Sequence, residues 1–157
     1  MSASAKQINS GFTLIELMVT VAILAITASL AAPSFREILA AQRVRSTAYS
    51  IVSDLTLARS EAVKRGADVT LTPVATQWAN GWLVTVVSSA EVLSTQGSAG
   101  NGVAFTIAPT GVTFDRNGRI NSSTVVRFQL SDGSTRMRCI SLDPSGRPKS
   151  VTTECPT

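Results

Sequence analysis

The sequence predicts an α+β chain: one long N-terminal α-helix packed on a C-terminal antiparallel β-sheet domain. Three observations predict it. Residues 14–32 carry 15 apolar side chains in 19 positions. Apolar or small residues then recur at Val44, Ala48, Ile51, Leu55, Ala58 and Ala62, at spacings of 4, 3, 4, 3 and 4, which marks one face of a helix. After Gly66 the period drops to two, the signature of strands with one buried face.

The apolar run Leu14–Ala32 is interrupted only by Glu16, Thr20, Thr27 and Ser29. At the helical rise it measures roughly 28 Å, close to the hydrocarbon thickness of a bilayer. Two identities fit such a run. A cleaved secretory signal would use Lys6 as its charged head and Ser29-Leu30-Ala31 as its cleavage site. A retained anchor is favoured, because Glu16 lies inside the run, where a carboxylate is costly, and the helical pattern continues past Ala32. Pro33 at the junction is expected to kink the helix without ending it. The Arg36–Gly66 half is amphipathic and stops at Lys64-Arg65-Gly66, cations followed by glycine. A coiled coil would also fit this half, but the small residues Ala48, Ala58 and Ala62 suit close packing on a sheet at least as well.

Strands are expected at Asp68–Thr72, Trp82–Ser88, Val103–Ile107, Val112–Phe114, Val125–Leu130 and Arg136–Ile140. Asn117-Gly118 predicts a type I′ hairpin turn, with weaker turns at Asp132-Gly133 and Ser145-Gly146. Gln96–Gly102 reads as a flexible loop. One internal echo pairs Phe114-Asp-Arg-Asn-Gly-Arg with Leu142-Asp-Pro-Ser-Gly-Arg, which two β-turns ending in Gly-Arg account for.

Composition excludes whole function classes. At 44% hydrophobic and 15% charged residues the chain is not intrinsically disordered, and 157 residues suit one globular domain beside the apolar segment. There is no histidine, so histidine acid–base chemistry, Ser-His-Asp triads and His-ligated metals are absent. Scattered serines without a base make no nucleophile, and two cysteines can form one disulfide but no four-ligand site. The chain reads as no enzyme, with no catalytic residue, no metal site and no cofactor.

The stretch Gly11-Phe12-Thr13-Leu14-Ile15-Glu16 resembles the class III signal of type IV pilins and type II secretion pseudopilins. The resemblance implies a leader, 1–11, removed by a prepilin peptidase between Gly11 and Phe12, with N-methylation of the new terminal Phe12. Pro33 matches a proline common at the end of the membrane segment. Leu57-Ala58-Arg59-Ser60-Glu61-Ala62-Val63 and Trp78-Ala79-Asn80-Gly81-Trp82 are similar to the GspH/FimT branch, which includes FimU-like minor pilins. Thr85–Ser94 departs from it, lacking an acidic run. The implied organisation is leader 1–11, transmembrane and filament-core half-helix 12–35, amphipathic half-helix 36–66, and a periplasmic β-rich domain 67–157.

In such a subunit Glu16 is expected to attract the terminal ammonium of Phe12 in a neighbouring subunit, setting register during assembly. The implied partners are other minor pilins or pseudopilins, the major pilin and the inner-membrane assembly platform. The implied location is the inner membrane, single-pass with a periplasmic C-terminal domain, then a pilus or pseudopilus. Outside the cytoplasm Cys139 and Cys155 are expected to form a disulfide tying the C-terminal tail to the strand at Arg136–Ile140. The chain is thus expected to be a non-enzymatic minor pilin or pseudopilin near the filament tip.

A pilus-borne DNA receptor for DNA uptake is the alternative. No Lys or Arg lies between Gly66 and Asp115, whereas seven lie between Arg116 and Lys149. Gly146-Arg147-Pro148-Lys149 is similar to a Gly-Arg-x-Arg motif of DNA-uptake FimT-type pilins, with lysine in place of the second arginine. Arg136, Arg138, Arg147 and Lys149 are the candidate DNA-binding residues, expected to bind weakly and without sequence preference.

Overall fold

The computed structural model describes residues 12–133 and 136–156, and of residues 31–34 and 36 the backbone. The chain divides into two compact units, Met1–Glu37 and Ile38–Thr157. Helix α1 covers Leu14–Arg65, and Pro33 does not end it. Its Ile38–Arg65 portion belongs to the second unit with eight strands: β1 Val69–Pro73, β2 Trp82–Val86, β3 Val92–Gln96, β4 Ala104–Ile107, β5 Val112–Phe114, β6 Val126–Ser131, β7 Met137–Leu142 and β8 Pro148–Val151. They form two antiparallel four-stranded sheets, ordered β3-β2-β1-β5 and β4-β6-β7-β8.

The six-residue helical stripe is the floor of the core. Val44, Ala48, Ile51, Leu55, Ala58 and Ala62 are each at most 3% exposed. Three alanines in that row let the helix backbone approach the sheets closely. Val69, Leu71, Trp82, Val84, Val112 and Phe114 of the first sheet and Phe128, Leu130, Ile140 and Leu142 of the second share the same apolar cluster. Alternation places Thr70 and Thr113, paired across β1 and β5, on the outer face, their hydroxyls 3.1 Å apart.

Trp78-Ala79-Asn80-Gly81-Trp82 joins the sheets. Trp78 sits on a 3₁₀ turn and donates its indole N–H to the Pro109 carbonyl at 2.6 Å. Its ring meets Trp82 of the first sheet at 6.0 Å and, edge to face, Phe128 of the second at 4.9 Å. Gly81 has φ +106°, and a β-carbon there would collide with the Gln96 carbonyl, so glycine is required where the chain enters β2 beside β3. Trp82 donates to Asp54 Oδ2 at 2.8 Å, and Ser94 donates to Asp54 Oδ1 at 3.1 Å. Asp54, only 8% exposed, therefore links the helix to β2 and β3.

Six strands fall where alternation predicts them; β3 and β8 do not appear in the pattern. β3 is an edge strand with mixed exposure, so its apolar period is faint. β8 opens with Pro148, at the first residue of an edge strand, where a missing N–H costs little. The turn at Asn117-Gly118 is also not type I′, which needs positive φ at both residues. Gly118 alone is positive, at +72°, and its N–H bonds the Asp115 carbonyl at 2.8 Å. The Asp115 carboxylate accepts the Asn117 and Arg119 N–H groups at 2.8 and 2.9 Å, which stabilises a type I turn followed by glycine instead.

Two stability outcomes follow, one from the Asp54 contacts and one from the disulfide that joins Cys139 to Cys155. Asp54→Ala strands the buried indole N–H and is expected to cost about 1–3 kcal/mol, measured by urea unfolding of the full chain in detergent, whereas Asp54→Asn, which keeps one carbonyl oxygen, costs less. Replacing Cys139 and Cys155 by serine is expected to lower the unfolding midpoint by the equivalent of about 3 kcal/mol, a loss that reduction of the wild type reproduces.

Candidate functional site

Gly11, the expected cleavage residue, lies outside the described residues. Phe12 is 73% exposed, and the helix begins just beyond it. The Thr13 carbonyl accepts the Leu17 N–H at 3.2 Å, and the Thr13 hydroxyl accepts the Glu16 N–H at 3.3 Å. In return Glu16 Oε2 accepts from the Thr13 N–H and hydroxyl, each at 3.4 Å. Thr13-Leu14-Ile15-Glu16 is therefore a capping box, a signal present in the sequence and hidden there by the apolar period. Glu16 has a local task, closing the first turn, besides any role toward a neighbour.

The side chains that follow are exposed around the whole helix circumference: Leu14 76%, Ile15 66%, Leu17 58%, Met18 61%, Leu24 66%. Their polar neighbours are satisfied within the helix. Thr20 donates to the Leu17 carbonyl at 2.8 Å, Thr27 to Ile23 and Leu24 at 3.0 Å, and Ser29 to Ile26 at 2.7 Å. Such internal bonding is what a segment surrounded by apolar material requires. Among the described residues no helix is long and apolar enough to cross a membrane; the side chains of residues 31 and 32, which end the apolar run, lie outside them.

At the other end of the chain Cys139 on β7 is bonded to Cys155, with Cα atoms 5.0 Å apart. The tail lies on the outer face of the second sheet: the Cys155 N–H bonds Gln129 Oε1 at 3.0 Å, and Gln129 lies opposite Cys139 in the register. This covers both faces of β7. Arg138 shares a face with the core residues Ile140 and Leu142, and Cys139 is turned to the tail.

The two Gly-Arg turns are one motif used twice. As with Asp115, the Asp143 carbonyl accepts the N–H of the glycine three residues on, Gly146, at 2.9 Å, and Asp143 Oδ1 accepts the Arg147 N–H at 3.2 Å. The Arg119 N–H, seconded by that of Asn117, holds the Asp115 carboxyl below the usual carboxylate range. The Ser145 hydroxyl, then the Arg147 N–H, do the same for Asp143. The turns touch: a β-carbon on Gly146 would collide with the Gly118 carbonyl, and that carbonyl also accepts Arg59 Nε at 3.1 Å. Exposed Arg119 and Arg147 thus leave equivalent positions of neighbouring turns.

The four candidate DNA-binding residues do not form one patch. Lys149 lies opposite Ser141 on the outer face of the second sheet, and Arg147 lies at the β7–β8 turn, one strand length from Arg138. Arg136 and Arg138 instead line a groove of about 540 Å³ with Ile38, Ala41, Gln42, Val44, Arg45, Met137 and Thr152. Tyr49 stands beside it, with the guanidiniums of Arg45 and Arg138 each 5.6 Å from its ring centre. A hydrogen bond from Arg45, then its charge, draws the Tyr49 hydroxyl below its ordinary range, with Arg138 adding to the effect. Sequence reading missed Arg45 and Tyr49, which only the tertiary fold brings to Arg138.

Residues 6–32 match the prokaryotic N-terminal methylation motif, and residues 47–146 match the family described as Type II transport protein GspH. Two crystal structures of the type IV minor pilin FimU of Pseudomonas aeruginosa (strain PAO1) are similar in fold. One is 22% identical with a TM-score of 0.58, covering 69% of this chain and 87% of that one. The other is 23% identical with a TM-score of 0.56, covering 68% and 91%. No curated protein matches the sequence. A methylation motif, a helix bearing the apolar stripe and a two-sheet body coincide in the type IV pilin-like fold, and the chain belongs to the GspH family of that superfamily, as a minor pilin or pseudopilin.

Proposed function

We propose that the chain is a non-enzymatic subunit assembled, near the tip, into a type IV pilus or type II secretion pseudopilus. A prepilin peptidase cuts between Gly11 and Phe12 and methylates Phe12. The 12–35 segment then holds the subunit in the inner membrane, with residues 36–157 in the periplasm, until the assembly platform passes it to the major pilin and other minor pilins. The observation that carries this reading is the apolar start of α1, exposed on every side with its hydroxyls bonded internally. A surface of that kind needs lipid or neighbouring helices around it. Glu16 is the one charged group within it, and in the filament it pairs with the Phe12 ammonium of a neighbour.

Capping and pairing are separable, because glutamine preserves a capping box while removing the charge. Glu16→Gln is expected to leave processing and helix content intact yet reduce recovery in sheared filaments about tenfold, a loss of roughly 1.4 kcal/mol in the assembly equilibrium. Wild-type recovery of this variant would show that Glu16 only caps.

A second reading, DNA capture by the filament, draws support from the neighbouring Gly-Arg turns. Exposed Arg119, Arg147 and Lys149 supply charge without a base-reading element, so binding would be general and steeply salt-dependent. Arg147→Ala and Lys149→Ala are each expected to weaken gel-shift retention of duplex DNA several-fold and to lower the salt slope by about one. Unchanged retention in both removes this reading.

A further inference from the structure

The groove beside Tyr49 is not absorbed by assembly or by the Gly-Arg turns. Its walls are the α1 residues from Ile38 to Arg45, the start of β7, and Thr152. Arg45, Arg136 and Arg138 line it, and among the described lining residues there is no carboxylate. Among the described residues neither Arg45 nor Arg138 enters an ion pair, and both line the cleft with their guanidiniums beside the Tyr49 ring. Tyr49, the single tyrosine of the chain, is 52% exposed between them. At its helical wall the groove is apolar: Ile38 is 54% exposed, and the adjoining Leu39 is 40% exposed.

We propose that this groove binds the headgroup phosphate of an anionic phospholipid, with Arg45 and Arg138 on the phosphate and the acyl chains along Ile38 and Leu39. The proposal rests on the membrane-inserted reading above. Charge complementarity selects an anion, and guanidinium forks are suited to phosphate. Connectivity selects the lipid: the groove's first residue, Ile38, follows exposed Phe35 by three positions at the end of the segment assigned to the bilayer. Tyrosine and arginine above an apolar rim are also the side chains that settle at headgroup depth. A volume of about 540 Å³ suits one headgroup-sized ligand. A nucleic-acid strand is disfavoured, because it would need a track of successive stacking surfaces and the groove offers one ring.

The test reconstitutes the full chain in phosphatidylcholine bilayers and compares spin-labelled phosphatidylglycerol with spin-labelled phosphatidylcholine as probes of protein-immobilised lipid. Wild type is expected to prefer the anionic probe about fivefold, the scale of one basic residue at an anionic surface, and to lose most of that preference in 0.5 M salt, where the Debye length falls to about 4 Å from about 30 Å in dilute buffer. Arg45→Gln with Arg138→Gln is expected to bring the ratio close to one, and Arg45→Gln alone, at an exposed helical position, to lower it partway without a folding defect. Equal immobilisation of both probes by wild type overturns the proposal, as does a preference that survives in both variants. Immobilisation of neither probe instead overturns the membrane reading beneath it. A double variant that keeps its lipid preference but loses duplex-DNA retention would make the groove a nucleic-acid site and overturn the proposal as well.

Discussion

The body of this protein depends on how closely one helix can lie on two sheets. Ala48, Ala58 and Ala62 share a single stripe with Val44, Ile51 and Leu55, each at most 3% exposed. The small residues set the approach, and the larger ones fill the space between the sheets. A larger side chain at any of the three alanines would push the helix outward and loosen every other contact in the cluster, since close-packed interiors absorb added volume poorly. Hydrogen bonds from the same helix add to this packing: the Asp54 carboxylate accepts from Trp82 and Ser94, and Arg59 donates to the Gly118 carbonyl.

Much of this was legible in the sequence, for reasons that differ by element. The helical stripe was readable because burial there is nearly complete and the period is strict. The inner strands were readable because their alternation follows a core on one face. β3 and β8 were not, because an edge strand pairs on one side only and need not alternate. The Asn117-Gly118 pair pointed to a type I′ turn; the Asp115 carboxylate two residues earlier, with two backbone N–H groups to bind, decided otherwise. The likeness of the two Gly-Arg stretches reads as two β-turns ending in Gly-Arg, and the fold has both turns; that they touch is what the sequence does not announce.

The charged residues divide in the same way. Glu16 could be singled out because a carboxylate in an apolar run is conspicuous, and its partner Thr13 lies only three positions away. The basic residues near the C-terminus stood out as a group, but strand pleating and the length of β7 disperse them over two faces and two ends of a sheet. Tyr49 and Arg138 lie 89 positions apart in the chain, and no local pattern announces their meeting. Local chemistry is written in local sequence, while clefts between a helix and a sheet are written only in the packing.

The disulfide has a mechanical consequence. It closes the span from Cys139 to Cys155, entirely within the second sheet and its tail, and bonds nothing to the helix. If tension enters at the N-terminal end, as it would in a pulled fibre, the cross-link withholds roughly 50 Å of contour length, at about 3.3 Å per extended residue. All that precedes Cys139 remains free to be drawn out. Resistance to peeling the helix from the sheets therefore falls to shear of non-covalent contacts, chiefly the alanine-spaced stripe and the Asp54 and Arg59 hydrogen bonds. The staple protects the last element to feel the load, and leaves the first to its packing.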